Sequence, residues 1–210
     1  MSVITISRQS GSDGNQVARV LCEELDYVIF EKPLMMQLAA QLKAEATDAA
    51  EQLPRARTLL ERILSPFDSA LDAEHEAQKE ISFDENALPS VDQVSALITA
   101  AYHHNNVVIV GRGSQVVLAN KPDVLRVRII APLEKRIQTW MARDKLTYKD
   151  AEKRVRERDK AHVDFVKNFF DEDVRTPELY DLVINMDKLS VLNAVGLIIK
   201  ALHNIEPPGR

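Results

Sequence analysis

Several large classes of protein are closed to this chain by what it lacks. It has one cysteine, Cys22, in 210 residues, so an internal disulfide framework is excluded and a reducing cytoplasm is the expected setting. Cys22 lies in an apolar helical pattern and is expected to be a small buried hydrophobe rather than a reactive thiol. One cysteine and five histidines make no zinc cluster, and no set of metal ligands is assigned. No apolar run approaches the roughly 20 residues that cross a bilayer. A strand-like run starts at Val3, where a secretory leader would carry its basic and apolar regions. No membrane partner is therefore expected. A basic excess is missing too: 27 Lys and Arg against 32 Asp and Glu leave a net charge of −5, which argues against a dedicated nucleic-acid binder. What remains, 45% hydrophobic and 28% charged residues, suits a soluble globular domain with an elaborated insertion.

The most informative segment that is present reads strand, glycine-bearing loop, helix. Val3-Ile4-Thr5-Ile6 is β-branched, Ser7 to Gly14 is turn-rich, and Val17, Val20, Leu21 and Leu25 then fall at helical spacing. A loop feeding a helix N-terminus offers backbone N–H groups and the positive end of the helix dipole, a natural seat for phosphate. The fingerprint G-x-x-x-x-G-K-[ST] is nevertheless broken. Asn15 and Gln16 follow Gly14 where the motif wants Lys and Ser or Thr, and Arg8 or Gln9 stands where it wants the opening Gly.

Further along, strands are expected at 27–30, 107–110, 124–131 and 182–185, and helices near 33–46, 55–64, 90–104, 132–145, 148–170 and 190–203. This alternation predicts an α/β fold with a parallel sheet, and right-handed crossovers place the first strand centrally. The stretch from 31 to 106 is far longer than one crossover requires. It reads as a helical insertion, with eight acids and only Lys79 as a base between Asp68 and Asp92, the pattern of a solvated face. The segment from Arg126 to Lys160 has the opposite polarity, twelve Lys and Arg against six acids. That pattern suits either a polyanion site or a helix laced with i,i+4 pairs such as Glu152–Arg156.

Four pieces in this order resemble the cytidylate kinase-like family of P-loop nucleoside monophosphate kinases. They are Ile4-Thr5-Ile6-Ser7-Arg8-Gln9 with Gly11 and Gly14, Val110-Gly111-Arg112-Gly113, Glu157-Arg158-Asp159, and Tyr180-Asp181-Leu182-Val183-Ile184-Asn185. The resemblance covers 1–32 and 107–203 and meets the rest only as a helical insertion. It implies a P-loop NTPase fold over 1–210: a five-stranded parallel sheet, order 2-3-1-4-5, with helices on both faces. The core would span 1–32 and 105–205, a helical NMP-binding insertion 33–104, and a helical lid about 146–172. It also implies ATP and Mg²⁺ as cofactors and nucleotides as partners; a homo-oligomer is left open.

The same resemblance suggests roles. Arg8, Ser10, Gly11, Ser12, Asp13, Gly14, Asn15 and Gln16 would form the phosphate-binding loop. Asn15 replaces the lysine charge with at most a hydrogen bond, and Gln16 is a poor ligand for Mg²⁺. Glu31, directly after the second strand, resembles the acid that binds Mg²⁺ through water or orients the attacking phosphate. It is equally explained as a favourable carboxylate at a helix N-terminus. Arg112 and Gly113 would lie on the acceptor, with Arg112 gripping its phosphate; cytidylate kinases proper have Gly-Arg-Asp, and Gly113 departs from it. Arg154 and Arg158, i,i+4 on one helix face, would be lid arginines acting on the transferring phosphoryl group, whereas Ala161, His162 and Val163 stand where the family has further arginines. Phe165, Phe169 and Phe170 are expected to anchor this helix in the core. Two functions follow: a kinase phosphorylating CMP, dCMP or a similar acceptor, or a nucleotide-binding regulatory module with little turnover because Asn15 replaces the lysine.

Overall fold

In the computed structural model, residues 2–45, 49–64 and 90–205 are described; the acidic stretch between Asp68 and Asp92 therefore lies mostly outside them. The described chain forms two compact units, residues 1–32 with 105–210, and residues 33–104.

The first unit is built on five parallel strands, β1 (Val3–Arg8), β2 (Val28–Phe30), β3 (Val107–Val110), β4 (Val124–Ile130) and β5 (Leu182–Asn185). Their order is β2-β3-β1-β4-β5, with β1 inside the sheet as the crossovers predict and the full order as the family resemblance implies. Register fixes which ends meet: Ile6 pairs with Val110, Arg8 with Ile129 and Ser7 with Arg128. Alternation along the strands then sorts side chains by face. Ile4, Ile6, Val108, Val110, Val127 and Ile129 join one apolar core with Val17, Ala18 and Leu21 of α1 (Gly14–Leu25) and Ala194, Val195 and Ile198 of α8 (Val191–Leu202). Cys22 is buried there. Burial, with Glu23 and Glu31 adding to it, pushes its thiol up to about 12, so the expected inert role holds.

Thr5, Ser7 and Arg128 point to the opposite face and are buried. Over them lie Val166 of α7 (Tyr148–Phe170), Val116 of the short α5 (Ser114–Val117), Val174 and Tyr180. Arg128 is 7% exposed. Its Nη1 donates to Val174 O at 2.5 Å, Tyr180 Oη at 3.0 Å and Ser7 Oγ at 3.4 Å. A buried guanidinium is tolerable only with partners of this kind. The remaining helix of the unit, α6 (Leu133–Asp144), forms a separate small core with α7 through Ile137, Trp140, Ala151 and Val155. The second unit contains α2 (Lys32–Glu45), α3 (Ala49–Leu64) and α4 (Val91–His104), with Ser90 Oγ accepting from the Gln93 amide at 3.2 Å to cap α4. None of the described helices is long and apolar enough to cross a membrane.

Differences from the sequence expectation have local causes. β2 begins at Val28 because Asp26 adopts φ 55° and the Tyr27 amide turns back to Cys22 O at 2.9 Å. β4 stops at Ile130 because the Gln9 side chain takes the Ala131 amide at 3.1 Å. α3 starts six residues before 55 and carries Pro54 in its interior, giving up one backbone hydrogen bond there. α5 and the 3-10 turn Pro177–Leu179 are too short to leave a periodic signal.

Candidate active site

The loop between β1 and α1 is held from beneath. Gln9 N donates to Ile129 O at 3.0 Å, and buried Ser12 gives its Oγ to Gln9 O at 2.8 Å and Ile129 O at 3.4 Å. Ser12 is thus spent on holding the loop rather than facing outward. Asp13 turns the chain into α1 with φ 61° and makes no side-chain cap. A non-glycine residue in this region is strained, and such strain gathers at functional turns. Among the described residues none accepts from the amides of Asp13, Gly14, Asn15 or Gln16, so the first turn of α1 presents open donors at the positive end of its dipole. Asn15 and Gln16 are exposed.

The Ser10 amide differs. It donates to Asp159 Oδ1 of α7 at 3.0 Å, and Asp159 Oδ2 pairs with Arg136 Nη1 of α6 at 2.5 Å. Trp140 Nε1 donates to Ser10 Oγ at 3.0 Å, and Gly11 lies tight against Arg136 and Trp140. Ser10 and Gly11 are therefore covered by α6 and α7. An internal carboxylate already occupies the first amide that the sequence offered to phosphate.

Charge collects at the carboxyl ends of β1, β2 and β3, where ligands of open α/β sheets bind. Arg8 Nε donates to Asn15 Oδ1 at 2.9 Å. Burial lowers the Arg8 guanidinium from its ordinary range; Glu31 acts against this and Arg112 and Arg158 act with it. All three are thus within electrostatic reach of Arg8. Arg112 sits in a left-handed run, Gly111 φ 77°, Arg112 φ 59° and Gly113 φ 74°, and its guanidinium lies 5.2 Å from the Phe165 ring centroid. A Cβ at Gly113 would collide with the Phe170 ring, so Gly113 makes room for an aromatic side chain. Phe165, Phe169 and Phe170 are only partly buried; Phe165 stacks on Phe169 at 4.3 Å and supports Arg112.

The two lid candidates separate. Both approach Trp140, with Arg158 at 4.6 Å and Arg154 at 5.1 Å from its centroid, and Arg143 joins them at 3.8 Å. Arg154 is tied to Asp144 at 2.5 Å and is absent from the groups that act on Arg8. Arg158 reaches both clusters. His162 does not replace an arginine. Burial, then Arg8 and Arg128, push its imidazole down to about 4, so it is neutral at pH 7, and its Nε2 is buried with no partner among the described residues. The structure thus brings together Arg8, Asn15, Glu31, Arg112 and Arg158. It leaves Arg154 on an outer ion pair and Ser12 beneath the loop. Trp140 and Arg136 gave no motif in the sequence, and Asp159 stood in the run Glu157-Arg158-Asp159 without a role of its own; the lone tryptophan inside a basic helix was the signal for the first.

An open helix N-terminus beside clustered arginines, on a 2-3-1-4-5 parallel sheet, defines a kinase-like P-loop protein. The model of the cytidylate kinase-like family matches residues 3–188, and the chain belongs to that family. An uncharacterized protein from Eubacterium ventriosum is similar in structure, at 18% identity over 97% of this chain and 99% of that one, with a TM-score of 0.65; at this identity the likeness shows the fold alone. A shikimate kinase from Acinetobacter baumannii in complex with shikimate aligns at 14% identity over 98% of this chain and 96% of that one, with a TM-score of 0.48. Among curated proteins none matches the chain.

Proposed function

We propose that the chain is an ATP-dependent nucleoside monophosphate kinase, transferring the terminal phosphoryl group of ATP to CMP, dCMP or a close relative. The observation that carries this reading is the grouping of Arg8, Glu31, Arg112 and Arg158 beside the open amides of the first turn of α1. Phosphoryl transfer needs alignment, charge neutralisation and exclusion of water more than covalent help. The amides of Asp13 to Gln16 receive the donor phosphates, Arg112 grips the acceptor phosphate, and Arg158 moves with the helical lid onto the transferring group. The attacking acceptor oxygen forms its bond to the terminal phosphorus as the bond to the β-phosphate oxygen breaks and ADP leaves. Magnesium, when bound, neutralises charge on the donor phosphates. Glu31 is the one carboxylate of the group, and among the described residues no three metal-ligating side chains cluster. Glu31 is the residue that would hold a nucleotide-borne Mg²⁺, through water rather than as one of a full protein ligand set. The cytoplasm is the compartment that fits this reading.

A second reading, a nucleotide-binding regulatory module, draws on two features: neutral Asn15 at the lysine position, and Asp159 on the Ser10 amide. A coupled ADP-release assay with Mg²⁺ and ATP across all nucleoside and deoxynucleoside monophosphates separates the two. The kinase reading expects release that depends on a cytidine-type acceptor. Saturable ATP binding without acceptor-dependent release supports the module instead.

A further inference from the structure

We propose that Arg8 supplies, from the end of β1, the phosphate-binding charge that the loop lacks at position 15, and that Asn15 is the positioning residue that aims it. The proposal deepens the kinase reading and rests on it for the identity of the ligand, a nucleoside triphosphate.

Three observations converge. Position 15 occupies the second residue of α1, where the fingerprint places its lysine, and there Asn15 Oδ1 accepts from Arg8 Nε at 2.9 Å. This contact engages the inner nitrogen of the guanidinium. Its terminal nitrogens, the pair suited to bidentate phosphate recognition, have no hydrogen-bond partner among the described residues. Gly111 makes the placement possible, since a Cβ there would collide with Arg8 Nη1. The charge around Arg8 is also unbalanced, with Arg112 and Arg158 on one side of the account and only Glu31 on the other. A partly buried excess of positive charge next to open amides attracts a polyphosphate. A lysine would bring a mobile point charge from the helix; here a planar guanidinium arrives from the strand, and a short amide side chain holds it.

The test is titration of Mg²⁺–ATP and of inorganic tripolyphosphate into the wild type and its variants, with ADP formation followed in parallel. Arg8→Gln is expected to weaken both ligands by roughly tenfold or more. Asn15→Ala, at an exposed position, is expected to weaken them several-fold in the wild-type background and not at all in the Arg8→Gln background, because it acts through Arg8. Combining Arg8→Gln with Asn15→Lys is expected to recover most of the lost affinity by returning a cation to the helix. Arg8→Lys, which keeps a charge, is expected to be intermediate and serves if Arg8→Gln fails to fold. Wild-type affinity in Arg8→Gln overturns the proposal, as do equal effects of Asn15→Ala in both backgrounds or the absence of effect from Asn15→Ala alone. A wild type that binds neither ligand overturns it too. If ATP binds through Arg8 yet no acceptor releases ADP, the kinase reading fails while the role of Arg8 stands.

Discussion

His162 shows how a single residue ties the site to pH. Its imidazole is held down to about 4 by burial, with Arg8 and Arg128 adding to it and Asp159 opposing. The unfolded chain takes the proton near the ordinary value of 6.5. Its contribution to stability is therefore complete above pH 6.5 and is lost as pH falls toward 4, because the unfolded state binds the proton first. The loss is on the order of 3 kcal/mol. Denaturant unfolding of His162→Gln across this range is expected to show a correspondingly flatter profile; an unchanged slope would place the acid sensitivity elsewhere. The two lid arginines make a second contrast. Arg158→Ala is expected to lower kcat by roughly a hundredfold or more with little change in nucleotide affinity, the mark of a group acting in the transition state. Arg154, already spent on Asp144, is expected to cost less than about tenfold on removal. Steady-state kinetics of the two variants with the acceptor found active decides; equal losses would return Arg154 to the reacting group.

At the scale of elements, the turn after β3 holds three successive residues at positive φ, Gly111, Arg112 and Gly113, and α7 is attached through a partly buried ion pair. Gly113→Ala would put a side chain at φ 74° and against the Phe170 ring. It is expected to destabilise the fold by about 1–3 kcal/mol, read as a lowered denaturation midpoint with unchanged slope. The Asp159–Arg136 pair joins α7, α6 and the loop at Ser10, with side chains 28% and 7% exposed. Asp159→Asn removes one partner of a half-buried pair, and thermal unfolding is expected to report a loss of about 1–3 kcal/mol. An unaltered midpoint would mean that the pair contributes nothing to the packing of α6 and α7. Elements with a strong period were legible in the sequence: β3, β5 and α7 carry clear β-branched or helical patterns, and their expected bounds are the observed ones. α5, the 3-10 turn and the early start of α3 were not. Their boundaries depend on turn geometry and on tertiary contacts that leave no periodic mark.

For the whole molecule, the inner place of β1 was legible from the hand of parallel crossovers, and the full strand order from the resemblance to the kinase family. The grouping of Arg8, Glu31 and Arg112 was legible in outline, since each follows or ends a strand and strand ends of a parallel sheet face one side. What the sequence concealed was how the loop is used. Ser12 looked like a phosphate ligand and points beneath the loop, and the Ser10 amide is taken by Asp159, 149 residues away in sequence. Asn15 looked like a loss and makes a contact to Arg8. Such pairings join positions distant in the chain and follow from packing rather than from local pattern. The central claim, that nucleotide phosphates lie on the first turn of α1 with arginines supplying the missing charge, is tested most directly by a crystal structure of the ADP complex. The β-phosphate is expected on the amides of Asp13 to Gln16, with the terminal nitrogens of Arg8 on its oxygens. A phosphate bound away from these amides, or an Arg8 side chain turned from it, would contradict the account.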